Sequence, residues 1–117
     1  MSTMRKTLLS ASFFLTAFAL IGSPGLNWNC LEGQNDNQSN GNCAAGRVTF
    51  TGGGYPATVH ISVTRTSTAQ VIDDYDYETT GGNIEFTETL VPADTYSVNL
   101  VGANVAVSRS ITTYGGN

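Results

Sequence analysis

The sequence predicts an all-β domain, a small β-sandwich. Apolar residues recur at every second position in several short segments, turn residues separate these segments, and no segment combines a helical period with capping residues. The segment Thr79–Leu100 shows the pattern most clearly. Ile84 and Phe86 alternate there with polar residues, Pro92 marks a corner, and the alternation resumes at Tyr96.

The N-terminal segment is predicted to be a signal peptide. Two basic residues precede the apolar run Leu8–Ile21, which is shorter than a membrane span requires. Small residues indicate cleavage after Ala19 or after Gly25, so the leader covers at most residues 1–25. A retained membrane anchor is the alternative. We therefore expect a secreted or cell-surface protein that does not insert into the membrane once the leader is removed.

The charge of the remaining chain restricts the class of partner. Three arginines stand against nine carboxylates after the leader, a net charge of −6, and no lysine is left. Such a surface repels phosphate backbones and anionic lipids. We therefore expect no nucleic-acid partner. The expected partners are an extracellular protein, a polysaccharide or further copies of the same chain.

Residues 26–44 are predicted to be a polar N-terminal loop closed by a disulfide between Cys30 and Cys43. The residues between the two cysteines are almost all polar, and paired cysteines are typical of exported proteins. Closing a loop of this length contributes about 3 kcal/mol in the chain-entropy account. A metal or redox pair is the alternative, but the spacing is too long for a Cys-x-x-Cys site and His60 is the single histidine.

The sandwich itself is predicted over residues 45–117. Its strands are expected, in order, at Arg47–Thr51, Ala57–Thr64, Val71–Glu78, Ile84–Thr87, Tyr96–Leu100 and Val105–Ile111. The third of these segments is the most polar and is therefore predicted to be an edge strand. Arg109 shares the parity of the core-facing residues in the last strand, which predicts a bulge or an exposed end.

The acidic edge strand carries the candidate metal site. Asp74, Asp76 and Glu78 share one face by the two-residue period of a strand, and a cation such as calcium would relieve their repulsion. A solvated edge that discourages association between sheets is the alternative. Tyr75 and Tyr77 share the other face, for which core packing is predicted. No other cofactor is expected.

Groups suited to catalysis are scarce in this sequence. His60 lies in mid-strand on a polar face among threonines, and the sequence offers it no convincing triad. Both cysteines are assigned to the bridge. We therefore interpret His60 as a solvent-facing strand residue and expect no enzymatic activity.

Leu90, Pro92 and Tyr96 are predicted to be structural residues of the corner between two strands. A tyrosine placed shortly after a proline corner can fold its hydroxyl back onto the upstream backbone, as in a tyrosine corner. Tyr96 then stabilises the corner and is not part of a binding site.

Two segments resemble the prealbumin-like family, which includes carboxypeptidase-regulatory-like and collagen-adhesin B-type domains. Gly53–Ile61 is similar to its G-x-P-x-x-x-V-x-V entry, and Thr79–Leu100 to its T-x-x-x-G-x-F-x-F…L-x-P-G-x-Y-x-V-x-V segment. The corner spacing also resembles fibronectin type III domains, whose second strand normally carries a core tryptophan. Trp28 lies outside the predicted strands, so the resemblance favours the prealbumin-like topology and leaves the other open.

The resemblance implies a role outside catalysis. Collagen-adhesin B-type domains often join strands by an isopeptide bond from a lysine, and no lysine remains after the leader, so no such bond is expected. The expected function is that of a secreted or cell-surface module with a binding or structural role. The alternative is a subunit of an extracellular filament or matrix that assembles through edge strands.

Overall fold

The computed structural model describes residues 24–33 and 42–115, so the predicted signal peptide lies, up to Ser23, outside the described residues. Eight strands are found in this part of the chain. They are β1 (Asn27–Cys30), β2 (Asn42–Ala44), β3 (Gly46–Gly52), β4 (Thr58–Arg65), β5 (Gln70–Glu78), β6 (Ile84–Leu90), β7 (Thr95–Gly102) and β8 (Val105–Tyr114). Within the same ranges no helix is long and apolar enough to cross a bilayer.

The strands form two sheets around one core. An antiparallel three-stranded sheet has the order β1-β3-β6. The five-stranded sheet has the order β2-β8-β7-β4-β5, and in it β2 runs parallel to β8 while the other neighbours are antiparallel. Apolar side chains of both sheets belong to one core cluster, which is consistent with a β-sandwich. The all-β prediction is therefore confirmed.

The segments with the clearest alternation form the strands that hold the core. In β6 every second residue is buried and the residues between them are exposed. Ile61 of β4 and Leu100 of β7 are partners in the register and are both fully buried. In the other sheet the rings of Phe50 and Phe86 stack with centroids 5.1 Å apart. Burial of this apolar surface from both sheets is the main stabilising contribution to such a fold.

The pairing registers locate β5 and β8, the two strands whose sequence patterns are irregular. β5 lies at the edge of the five-stranded sheet, as predicted, and its pairing with β4 shifts between Val63 and Thr64. β8 pairs with β7 without a shift, and Val98 lies opposite Arg109. Arg109 is therefore an exposed side chain in a regular strand, and no bulge occurs there.

The segment predicted as a polar loop differs from the prediction, because it contains strands of both sheets. β1 pairs with β3, and β2 pairs with β8. Trp28, which was expected outside any strand, lies in β1 with 1 % of its surface exposed, and its ring centroid is 6.0 Å from that of Phe50. β1 has only four residues, so its alternation is too short to identify from the sequence, and its burial depends on pairing with β3.

The predicted disulfide between Cys30 and Cys43 is present, but within the core and not beside it. Cys30 belongs to β1 and Cys43 to β2, so the bond joins the two sheets across a Cα–Cα distance of 5.3 Å. Both cysteines are buried. The bridge therefore constrains the packing of one sheet on the other as well as closing a loop.

Candidate functional site

The corner between β6 and β7 is closed by Tyr96. Its side chain is fully buried, and its hydroxyl donates a hydrogen bond of 2.6 Å to the carbonyl oxygen of Pro92. Leu90, the last residue of β6, is also fully buried. Burial raises the pKa of Tyr96 above its usual value, so the phenol is protonated and available as a donor. This is the arrangement of a tyrosine corner.

Asp94 braces the same corner through its carboxylate. It accepts hydrogen bonds from Ser67, from Arg65 Nε at 2.6 Å and from the amide of Thr95 at 2.7 Å. The hydrogen bonds from Ser67 and Arg65 are the largest causes that lower the pKa of Asp94, to about 2. The Asp94 main chain also pairs with that of Thr113, whose amide donates to the Asp94 carbonyl at 2.8 Å. These contacts are structural and leave no side chain free for chemistry.

The widest polar surface is the side of the five-stranded sheet that points away from the core, which we call the polar face. Its residues alternate with buried residues along four strands. They are Thr58, His60, Ser62 and Thr64 of β4, Asp74, Asp76 and Glu78 of β5, Thr95, Ser97, Asn99 and Val101 of β7, and Ala106, Ser108, Ser110 and Thr112 of β8. Registers across the sheet align them in rows, one of which is Ser108–Asn99–Ser62–Asp74.

His60 is held at the acidic edge of the polar face. Its Nδ1 lies 2.7 Å from Oδ1 of Asp76, and its Nε2 contacts Oδ1 of Asp74. The hydrogen bonds with Asp76 and Asp74 raise the pKa of His60 above its usual value. An imidazolium in this position donates from both nitrogens, so neither is free to act as a general base.

The predicted calcium ligands do not converge on one point. Asp74 and Asp76 are engaged by His60, while Glu78 accepts a hydrogen bond from the Thr58 hydroxyl at 3.1 Å. The described residues contain no group of three or more histidine, cysteine or acidic side chains placed to hold a metal ion. Calcium binding at this edge stays a prediction.

A second acidic site lies inside the fold, where the sequence analysis did not place one. Glu88 of β6 is 5 % exposed, and its Oε2 has no hydrogen-bond partner among the described residues. Burial raises its pKa to about 8, with further contributions from a hydrogen bond to Asp73 and from the charge of Asp73. Burial, and then the charge of Glu88, raise the pKa of Tyr75.

A sequence signal for this interior site exists. Glu88 has the parity of Phe86 and Leu90, which face the core, and Asp73 has the parity of Tyr75 and Tyr77. Two carboxyls at core-facing positions of strands that follow each other in the chain are unusual, because burial of an unpaired charge is costly.

Tyr75 and Tyr77 pack against the core, as predicted, and Tyr77 also reaches the other sheet. Its hydroxyl donates to the carbonyl oxygen of Glu85 at 3.1 Å and accepts from the Glu85 amide at 3.0 Å. Its ring lies 6.3 Å from that of Phe86. Tyr77 therefore connects the edge strand β5 to the main chain of β6.

The chain was compared with protein-family models, with curated proteins and with solved structures. None of the three comparisons found a match.

Proposed function

We propose that the chain is a secreted or cell-surface module of prealbumin-like type that binds an extracellular polysaccharide or protein through the polar face, without catalysis. The observation that carries this is the face itself: rows of short hydroxyl, amide and carboxylate side chains on a sheet whose other side is a packed core. Export is supported by the leader-like N-terminus and by a disulfide, which persists in oxidising compartments.

A hydroxyl-rich ligand suits the chemistry of this face. Serine, threonine and asparagine side chains both donate and accept hydrogen bonds, as sugar hydroxyls do. Neighbouring groups on the face also bond each other, as in the 3.1 Å contact between the Thr95 and Thr112 hydroxyls. Val101, 52 % exposed beside His60 in the register, offers an apolar contact for the C–H face of a sugar. We therefore place a polysaccharide first among the ligands.

A binding assay with paired variants tests the proposal. The mature protein is incubated with a panel of insoluble and soluble polysaccharides, and the bound fraction is measured. Ser62→Arg with Ser108→Arg blocks the central row of the polar face and should abolish binding. Thr49→Arg with Thr87→Arg places the same charge on the outer side of the other sheet and should leave binding intact. Failure to bind any polysaccharide, or equal loss in both pairs, would contradict a polysaccharide-binding face.

The alternative, a filament subunit, is favoured by a different observation. β6 pairs with β3 on one side and with no other strand among the described residues. The main chain of Glu85 faces Tyr77, on the side away from β3, and alternate residues of an antiparallel strand share this orientation. Thr87 and Thr89 therefore present unpaired main-chain groups, a template for another strand.

Electron microscopy of the purified mature protein tests the alternative. Filaments should form in the wild-type protein and be lost in Thr87→Pro, which removes one outward amide and is tolerated at a sheet edge. The edge strand β5 of the other sheet is a poor candidate for pairing with a second copy of itself, because its acidic side chains would repel each other. Absence of filaments across protein concentrations would exclude this assembly.

A further inference from the structure

The pair Glu88 and Asp73 lies where the two sheets meet near one edge. Glu88 follows the core-facing residue Phe86 along β6, and Asp73 has the inward parity of Tyr75 in β5. Both side chains therefore point between the sheets, where Glu88 is buried and Asp73 is half-buried, and the nearby Asp73 carboxyl adds to the rise in the pKa of Glu88. Two carboxylates in such contact cannot both be ionised at low cost, whereas one shared proton converts the repulsion into a hydrogen bond.

Among residues 24–33 and 42–115, the charged groups around this pair do not supply a cation for it. Two of the three arginines after residue 25 pair with other carboxylates among the described residues, one with Glu32 and one with Asp94. Arg109 extends from β8, which β7 and β4 separate from β5 in the five-stranded sheet. From β4, His60 faces β5 on the polar face and contacts Asp74 and Asp76. The proton is thus the available means of neutralising Glu88.

β5 is an edge strand of the five-stranded sheet. It has β4 as its single neighbour in the five-stranded sheet, and the register with β4 is interrupted between Val63 and Thr64. Asp73 lies opposite Val63, directly at this interruption. Side chains of β4 hold the C-terminal half of β5, through His60 with Asp74 and Asp76, and the Tyr77 hydroxyl ties that half to Glu85 of the other sheet.

We propose that Glu88 and Asp73 form a proton-operated latch for β5: a proton shared by the two carboxyls holds the N-terminal half of β5 against β6, and its loss releases that half. Deprotonation leaves two adjacent carboxylates between the sheets, with the buried Oε2 of Glu88 lacking a hydrogen-bond donor among the described residues. The strand relieves this by lifting, which hydrates Glu88 and exposes the edge of β4. The latch does not depend on the proposed binding function, since it lies on the inner side of both sheets.

Amide hydrogen exchange tests the latch. Protection is measured for β5 amides at several pH values between 6 and 9 and divided by protection of β7 amides in the same sample, after correction for the intrinsic exchange rate. Release coupled to one proton changes the opening equilibrium by at most about tenfold per pH unit. With a pKa of about 8 in the held state and an ordinary value in the released state, we expect the β5-to-β7 ratio to fall by at least roughly tenfold, and up to about a hundredfold, between pH 6 and 9.

Three variants separate the latch from other causes. Glu88→Gln keeps the shape but cannot ionise, so the pH dependence of the ratio should shrink to the smaller part that His60 supplies through Asp74 and Asp76. Glu85→Gln removes an exposed carboxyl of the same strand, and His60→Gln removes the imidazole on the opposite face; both should keep most of the dependence. A wild-type ratio that does not change with pH, full dependence in Glu88→Gln, or loss of the dependence in His60→Gln would each overturn the latch.

Discussion

Two carboxylates in this small domain have opposite electrostatic environments. Asp94 at the β6–β7 corner accepts hydrogen bonds from a guanidinium, a hydroxyl and an amide, and its pKa is lowered to about 2. Glu88, on the preceding strand, is buried beside another carboxyl, and its pKa is raised to about 8. Hydrogen-bond donors within reach of its oxygens lower the pKa of a carboxyl and let it stabilise the fold, whereas burial without such donors raises the pKa and destabilises the fold.

The largest expected effect comes from emptying the braced corner. Tyr96→Ala removes a fully buried ring and should lower the free energy of unfolding by roughly 3–5 kcal/mol. Tyr96→Phe keeps the ring and loses the bond to Pro92, and should cost about 1 kcal/mol. Denaturant melts of both variants measure these values. Unchanged stability in Tyr96→Ala would show that this corner is not held by its tyrosine.

Replacing each of the two acids by its neutral amide tests the difference between their environments directly. At pH 7 Glu88→Gln should stabilise the protein by about 1–3 kcal/mol, because folding no longer requires the buried carboxyl to take up a proton that the unfolded chain has released. Asp94→Asn should destabilise it, because the ion pair with Arg65 is lost. Denaturant melts at pH 7 compare the two variants directly. The same sign of change in both would contradict the contrast.

The pH dependence of stability should show both acids in one curve. The contribution of Asp94 is present above its unfolded value of 3.8 and is lost as the pH falls toward 2. The penalty of Glu88 is absent below 4.5 and grows until the pH reaches about 8. The contribution of His60 is present below 6.5 and is lost as the pH rises through its higher folded value. We therefore expect the greatest thermal stability near pH 4–5.

Calorimetry from pH 2 to 9 measures this curve. Glu88→Gln should flatten the alkaline side and leave the acid side, while Asp94→Asn should do the reverse. A maximum near neutral pH in the wild-type protein would be incompatible with a raised pKa at Glu88.

A smaller effect than that of Tyr96→Ala is expected at the opposite end of the fold, away from both acids. The carbonyl oxygen of Gly25 accepts from the Tyr55 hydroxyl at 2.8 Å, and the Gly25 amide donates to the Gly53 carbonyl oxygen at 3.1 Å. A protein that begins at Leu26 should therefore be less stable than one that begins at Leu20, by roughly 1–2 kcal/mol.

This loss should be independent of pH and so provides a baseline for the two carboxylates. Denaturant melts of the two lengths at pH 5 and pH 8 measure it. Tyr55→Phe in the longer protein should reproduce part of the loss, since it removes the same hydroxyl contact. Equal stability of the two lengths would mean that residues before Leu26 do not support the fold.

Local alternation was sufficient to predict the main strands. A strand with one buried face repeats every two residues, and β3, β4, β6 and β7 each show that period over at least seven residues. The edge position of β5 followed from its charge, and the disulfide followed from two cysteines in an exported context. These are properties of adjacent residues or of composition, which the chain carries by itself.

The tertiary structure decided which of these faces meet. β1 and β2 are too short to show a period, and their burial depends on β3 and β8. The bridge between Cys30 and Cys43 connects the sheets because those two strands belong to different sheets. Glu88 and Asp73 are fifteen positions apart, and each looks like one more acid in an acidic chain. Their shared environment exists only where β6 and β5 face each other, because the pKa of a buried group depends on its neighbours in space.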